Sequence, residues 1–330
     1  MGSDVKLQKQ NEADQKAKQN TWRSDQETKS LFMLQKINEW GLEAMLNILS
    51  KIDGSRYKWI QEELGIEQNA WDKITHSEIQ PIMVFAHPEI VQNDTKRFMY
   101  YRQIAMISQK SMSYVGLQMG KFEEASINSN NYDELCKRCR VINGVMSNLV
   151  LHMDTVTLKK IIICLGMGAG MQADGSWRNK KGQEVEKSIW KKIKNWAKDS
   201  GLEINEINNG VFMCNNTLYK SASEPDIGVY RDGKLIVLVE IKGGIDPAAA
   251  LERGGAVQKS CTRNDAQTKI CVARTSAITS EFKKLMKMNG YKLFKYEDLD
   301  NNHANSRNEL MKLLYLEPDR VSNRANMPIS

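Results

Sequence analysis

The spacing of apolar positions changes twice along the chain. Residues 1–28, which include the run KLQKQNEADQKAKQNTWRSDQETK, hold too few apolar positions for a packed face and read as a polar leader, solvated, frayed or disordered. From Ser30 to about Leu149 apolar residues recur three and four apart, as in Leu31, Leu34, Ile37 and then Leu42, Met45, Leu46, Leu49. That is the period of helices with one buried face, and Met99 to Met119 and Tyr132 to about Thr155 repeat it. Near residue 156 short β-like runs begin: Lys160 to Leu165, Val211 to Tyr219, Ile227 to Tyr230, Leu235 to Ile241, Lys269 to Ala273 and Tyr291 to Tyr296. Helical stretches separate them, so the pattern predicts a helical domain over 29–155 and an α/β (α+β) domain over 156–330.

A chain of 330 residues has room for about two domains at ~100–200 residues each. With 41% hydrophobic and 26% charged residues it falls outside the disordered, collagen-like and membrane classes. Its longest apolar run, Ile161 to Gly170, is too short to cross a bilayer, and the polar start (Met1, Gly2, Ser3, Asp4) lacks the apolar core of a secretory signal. A cytoplasmic protein with free thiols is expected. Cys136 and Cys139 form a CxxC, but no second pair or nearby His completes a zinc set. Seventeen Met residues read as fillers of a helical core. The net charge of +7 suits a polyanionic partner without identifying one.

Ile161-Ile162-Ile163-Cys164-Leu165 runs into Gly166-Met167-Gly168-Ala169-Gly170, which looks like a strand entering a dinucleotide-binding turn. The fingerprint needs a third Gly three residues after the second, and Met171 stands there. The run is read as a buried strand followed by a flexible loop, with no nucleotide cofactor.

The segment with chemical content is Ser223 to Gly244. Two β-type runs flank Asp232-Gly233, which predicts a hairpin. Side chains alternate faces along a strand, so a turn of even length would pair Asp226 with Val239 and put Asp226 and Glu240 on opposite faces. A three-residue loop, Arg231-Asp232-Gly233, with Gly233 left-handed in a bulge pairs Tyr230 with Lys234 and Asp226 with Leu238. Asp226, Glu240 and Lys242 then share one face. Ile227, Val229, Leu235, Val237, Val239 and Ile241 form a continuous apolar surface on the other.

Two carboxylates converging at the end of an apolar hairpin repel one another and are costly to bury without a cation between them. Oxygen ligands of this kind suit Mg²⁺, which binds through one or two carboxylates plus substrate phosphate. Lys242 on the same face reaches a water on the metal or the scissile phosphate. A solvated strand face also carries Glu-x-Lys patterns, yet not directly after five apolar residues, Leu235 to Val239. The spacing therefore points to metal-assisted phosphodiester hydrolysis.

Upstream, Gly182 opens a predicted helix with the apolar face Val185, Ile189, Ile193 and Trp196; Glu186 borders that face and is a further candidate carboxylate for the metal site. Downstream, Asp246-Pro247 reads as the start of a helix over Ala248 to Lys259. Arg253, Gln258 and Lys259 on it, with Arg263, are candidate DNA contacts, as are Arg178, Lys180 and Lys181 beside Trp177. Lys96, Arg97 and Arg102 form a similar basic segment in the helical domain.

Pro225-Asp226, thirteen intervening residues and then Glu240-Ile241-Lys242, preceded by a helix bearing Glu186, resemble the PD-(D/E)XK nuclease superfamily over about residues 180–296. The predicted order of helix, three-stranded meander, helix and strand is similar too. VEIKGGIDPAAALERGG resembles, more narrowly, the XcyI/Cfr9I-like type II restriction endonucleases. The resemblance implies a restriction-endonuclease-like core, a mixed central sheet flanked by helices, with the N-terminal helical domain serving recognition, dimerisation or support. It implies that Asp226 and Glu240 bind Mg²⁺, or Mn²⁺ in its place, with the Ile241 carbonyl and Glu186 as further ligands, and that Lys242 positions or activates the attacking water. It further implies a homodimer cutting palindromic double-stranded DNA, CCCGGG in the narrower match, to leave 5′-phosphates in a bacterial or archaeal cytoplasm. A repair or junction-resolving nuclease of the same fold, and a DNA-binding protein with a vestigial nuclease core, stand as the alternatives.

Overall fold

The structure is a computed structural model and describes residues 2–124, 131–243 and 266–317, with side chains from residue 19 onward except residue 21. It divides into two units, Met1–Trp177 and Arg178–Ser330.

In the first unit the leader is helical rather than frayed: α1 runs Gly2–Trp40. Lys, Gln, Glu and Ala are strong helix formers, and the stretch has no Pro, so propensity supports a helix that lacks a packed face. Gly41 at φ +65° ends it. Leu31 and Leu34 are exposed, and the buried stripe starts only at Ile37. Then follow α2 (Leu42–Leu49), α3 (Gln61–Leu64), α4 (Gln68–Thr75), α5 (Pro88–Asn93), α6 (Arg97–Ile104), α7 (Gln109–Tyr114), α8 (Gly120–Glu124) and α9 (Tyr132–His152).

Helix α9 packs on α3, α4 and α5, and Asn143 ties them at the centre. Its Nδ2 donates to Leu64 O (3.0 Å) and Ala86 O (2.9 Å), while its Oδ1 accepts from Ala86 N (2.7 Å). Arg102 is buried, donating to both carboxylate oxygens of Glu123 and to Ile107 O. It therefore serves this core and offers nothing to a phosphate, contrary to the sequence expectation. Arg97 of the same segment donates to Ile90 O at 2.9 Å.

The run expected as a strand and glycine turn is the start of α10, Leu158–Asp199. Ile161, Leu165, Ala169, Ala173 and Trp177 are all buried at four-residue spacing, a helical stripe that outweighs the β-branched run beside it. Gly168 has a packing role: a Cβ there would lie 2.1 Å from Gln103 O, so only glycine lets α10 approach the backbone of α6. The division between the two units falls within α10, at Trp177/Arg178, and no new helix opens at Gly182.

The second unit holds a seven-stranded mixed sheet in simple sequential order. Its strands are β1 (Asn205–Asn208), β2 (Val211–Cys214), β3 (Thr217–Ser221), β4 (Ile227–Arg231), β5 (Lys234–Lys242), β6 (Thr268–Ala273) and β7 (Tyr291–Lys295). Strands β1 to β5 form an antiparallel meander; β5, β6 and β7 are parallel. The predicted strand Val211 to Tyr219 is two, broken at Asn215 and Asn216, whose φ values of 47° and 56° make a tight turn. The meander is thus longer than the three strands expected. Between β6 and β7 lies α11 (Ser280–Met288), and α12 (Tyr296–Asp300) and α13 (Ala304–Leu313) follow the sheet.

The β4–β5 hairpin turns on two residues, Asp232 (φ 50°) and Gly233 (φ 74°), with Arg231 opposite Lys234. The irregularity sits not at Gly233 but further along, where Val229 faces Val237 and Tyr230 faces Leu235, leaving Ile236 as the extra residue. That bulge restores the parity the sequence reading required, two residues out of place: Ile227 pairs with Val239, which sets Asp226 opposite Glu240 rather than Leu238. It also moves Leu235 across the sheet. Ile227, Val229, Ile236, Val237, Val239 and Ile241 pack with Val185, Ile189, Ile193 and Trp196 of α10, whereas Leu235 joins Leu238, Cys271 and Phe282 on the other side.

Glycines in α10 allow a direct test of that packing. Gly168→Ala should cost more than about 2 kcal/mol because the added carbon meets backbone. Gly170→Ala, facing open space, should stabilise by up to about 1 kcal/mol. Thermal or urea unfolding of the two variants checks both signs.

Candidate active site

The site forms where β4 begins and β5 ends. Asp226 stands one residue before β4, and its Oδ2 accepts a hydrogen bond from Ile241 N at 2.6 Å. Glu240 is buried, at 6% exposure, and Lys242 lies two residues on, so both side chains leave the same face of β5. Lys242 Nζ stands 2.9 Å from Glu240 Oε2. The three residues singled out by the spacing are thus brought to one face of the hairpin, through a bulge in a different place.

Burial dominates the electrostatics. It raises the Asp226 carboxyl to about 7, opposed by the Ile241 N–H and Lys242 and reinforced by the charges of Glu240 and Glu186. Burial alone would lower the Lys242 ammonium; the charge and hydrogen bond of Glu240, together with Asp226, outweigh it and hold the pKa above its usual value. Lys242 is therefore a fixed cation. Cys271 pairs with Glu240 across the parallel β5–β6 ladder and is buried, which pushes its thiol up to about 12 and keeps it neutral under the carboxylate. The sequence reading passed over Cys271, because only the register of β6 places it there.

Glu186 is carried on α10, which packs on the opposite side of the sheet. The two meet where β5 ends. A Cβ on Gly243 would lie 2.9 Å from Val185 Cβ and 3.1 Å from Gly182 Cα, so the strand end seats on the helix with no side chain between them. Glu186, next to Val185, comes near enough for its charge to act on Asp226.

Of the candidate DNA contacts, Arg178 and Lys180 are exposed on α10, and Lys181 lies 3.4 Å from Glu184. Arg253, Gln258, Lys259 and Arg263, with the helix expected after Asp246-Pro247, lie outside the described residues. Cys139 is buried on α9 and Cys136 half-buried beside it. No helix among the described residues is long and apolar enough to cross a membrane.

Among the described residues no three His, Cys, Asp or Glu side chains stand together as a complete metal cage. The donor set is smaller: two carboxylates on one face, with a cation beside them. Such a set fits Mg²⁺, a hard ion that keeps several waters and takes substrate phosphate oxygens as ligands, better than an ion needing an all-protein cage.

A mixed α/β sheet with one carboxylate at the start of β4 and a second, with a lysine, at the end of β5 is compatible with a restriction-endonuclease-like fold. Residues 38–281, well over half of the chain, match the family model described as XcyI restriction endonuclease, and the chain belongs to that family. It is accordingly a nuclease of double-stranded DNA, in a family that generally uses a divalent metal. No curated protein matches the chain.

The raised Asp226 pKa makes a prediction for the metal-free protein. A carboxyl whose folded pKa exceeds its unfolded value favours folding while protonated; that stabilisation is lost as pH rises from about 4 through about 7. Asp226→Asn keeps an acceptor for Ile241 N and carries no charge. In EDTA at pH 8 it should be more stable than the parent by between about 1 and about 4 kcal/mol, the gap closing toward pH 4. Melting curves across that range check it, and an Asn variant less stable at pH 8 would reverse the assignment.

Proposed function

We propose that the protein is a type II restriction endonuclease that hydrolyses double-stranded DNA at a specific site with Mg²⁺ and leaves 5′-phosphates. The observation that carries this is the buried Glu240–Lys242 pair sharing one face with Asp226. In this reading the core is of the PD-(D/E)XK type, and Asp226 and Glu240 hold the metal, with the Ile241 carbonyl and Glu186 as additional ligands. Bound there, the metal supplies charge neutralisation at the scissile phosphate and activation of water.

The chain's own groups do the rest. Ile241 N–H fixes the Asp226 carboxylate in one orientation. Lys242, whose pKa in the metal-free protein is held up by Glu240 and Asp226, positions or activates the attacking water and stabilises charge growing on the phosphate. Cys271 and Leu238 make an apolar floor that keeps bulk water from the buried side of the carboxylates. Arg178, Lys180 and Lys181 on α10 supply phosphate contacts. The helical unit, 29–155 in the sequence reading, serves recognition, dimerisation or support. A homodimer on a palindrome, each copy cutting one strand, follows from matching two-fold symmetries; the resemblance suggests CCCGGG as the site and a bacterial or archaeal cytoplasm as its location.

Incubating the purified chain with phage-sized DNA in Mg²⁺ or EDTA should give discrete fragments only with Mg²⁺, and sequencing their ends gives the site and cut. Asp226→Ala and Lys242→Ala should each lower cleavage about 100-fold or more while duplex binding persists. Unchanged cleavage by either variant would remove that residue from the mechanism. Diffuse degradation would favour a repair or junction-resolving nuclease.

A further inference from the structure

Arg274 directly follows β6, and its backbone N donates to Lys242 O at 3.4 Å, so it extends the sheet edge on which the candidate site lies. Its side chain leaves on the side opposite Ala273, toward α10, where the guanidinium stacks over the Tyr296 ring at 5.3 Å. That ring is itself held: Tyr296 Oη donates to Asp300 Oδ1 at 3.2 Å and contacts Ser188 Oγ of α10 at 3.4 Å. Arg274 Nε is buried without a hydrogen-bond partner among the described residues. Glu297, one residue beyond Tyr296, is engaged instead by Thr275 N and Oγ1 at 2.8 and 2.7 Å.

A guanidinium stays charged at any working pH, and leaving it half-buried without a counter-charge is unfavourable. A core that needed only packing there would be better served by Leu or Met. A cation–π contact on a held ring limits where the guanidinium can go, which is how a phosphate site is pre-organised. The location agrees: ligands of sheets with parallel strands lie beyond the carboxyl ends of those strands, and Arg274 stands at that end between β5, which carries Lys242, and β7, which Tyr296 directly follows.

We infer that Arg274 binds a backbone phosphate of the DNA strand cut at this site, where the strand passes beyond the sheet end, through its outer Nη groups. The inference rests on the reading of Asp226, Glu240 and Lys242 as the cleavage site. It adds a positioning residue just beyond β6 that helps set where the DNA strand lies.

The test measures steady-state cleavage of phage DNA by the full chain in Mg²⁺ over a range of NaCl concentrations, for the parent, Arg274→Gln, Arg274→Lys and Tyr296→Phe. A lost phosphate contact weakens binding and flattens the dependence of log affinity on log salt by about 0.9. Arg274→Gln should raise KM about tenfold, leave kcat within about threefold and reduce the salt slope by about 0.9; Arg274→Lys should restore the slope, and Tyr296→Phe should leave it unchanged. Loss of folded protein alone would lower kcat and leave KM and slope untouched. Arg274→Met, which keeps the stem packed on Tyr296, gives the same readout if the Gln variant misfolds. A parent that cleaves while the Gln and Met variants match its KM and slope overturns this inference alone. A parent that neither cleaves nor binds duplex DNA at low salt overturns the site reading and this inference together.

Discussion

A single extra residue, Ile236, decides where the charges of this protein point. Without the bulge, the two-residue turn at Asp232-Gly233 would place Asp226 and Glu240 on opposite faces of the β4–β5 hairpin. With it, both carboxylates and Lys242 share a face, and Ile227, Val229, Val237, Val239 and Ile241 form an unbroken surface against α10. The bulge therefore serves packing and chemistry together: the register that buries the apolar set is also the one that collects the polar set.

Collecting charges in this way has an energetic cost. Glu240 is almost wholly buried and Asp226 is held near neutrality by burial, so the site by itself detracts from stability. The compensations are local: the Ile241 N–H on Asp226, the Lys242 ammonium on Glu240, and neutral Cys271 beneath. A group that favours the charged forms, a divalent ion above all, would release that strain, which links the proposed metal to the electrostatics of the empty protein. Arg274, whose Nε has no hydrogen-bond partner among the described residues at the next strand end, fits the same logic for the anion.

Two glycines allow close approaches, one within each unit. Gly243 lets the end of β5 sit directly on α10 beside Glu186, and within the first unit Gly168 lets α10 touch the backbone of α6. The Arg102–Glu123 pair and the three bonds of Asn143 then lock the helical unit around its core. Membership of the XcyI restriction endonuclease family spans residues 38–281, so it takes in helices of the first unit as well as the hairpin that carries the carboxylates.

Much of the centre was legible from local pattern. Five apolar residues before Glu240 mark a central strand, Asp-Gly marks its turn, and period-two alternation forces a register that groups Asp226, Glu240 and Lys242, because only that register buries the apolar set. Pattern failed where the decisive quantity is not local. Residues 161–165 are apolar and begin with three β-branched isoleucines, yet Ile161 and Leu165 start a four-residue stripe through Trp177 that is buried along α10. Basic residues look alike in sequence, but Arg102 closes on Glu123, 21 residues away, in a buried pair, while Arg274 Nε has no hydrogen-bond partner among the described residues. The bulge position, the pairing of Cys271 with Glu240 and the approach of Glu186 round the strand end likewise depend on contacts between segments distant in the chain. The sequence by itself determined which residues carry the chemistry, since alternation and charge are properties of neighbours; the tertiary structure decided which of them meet, since that follows from how strands and helices bury one another's surfaces.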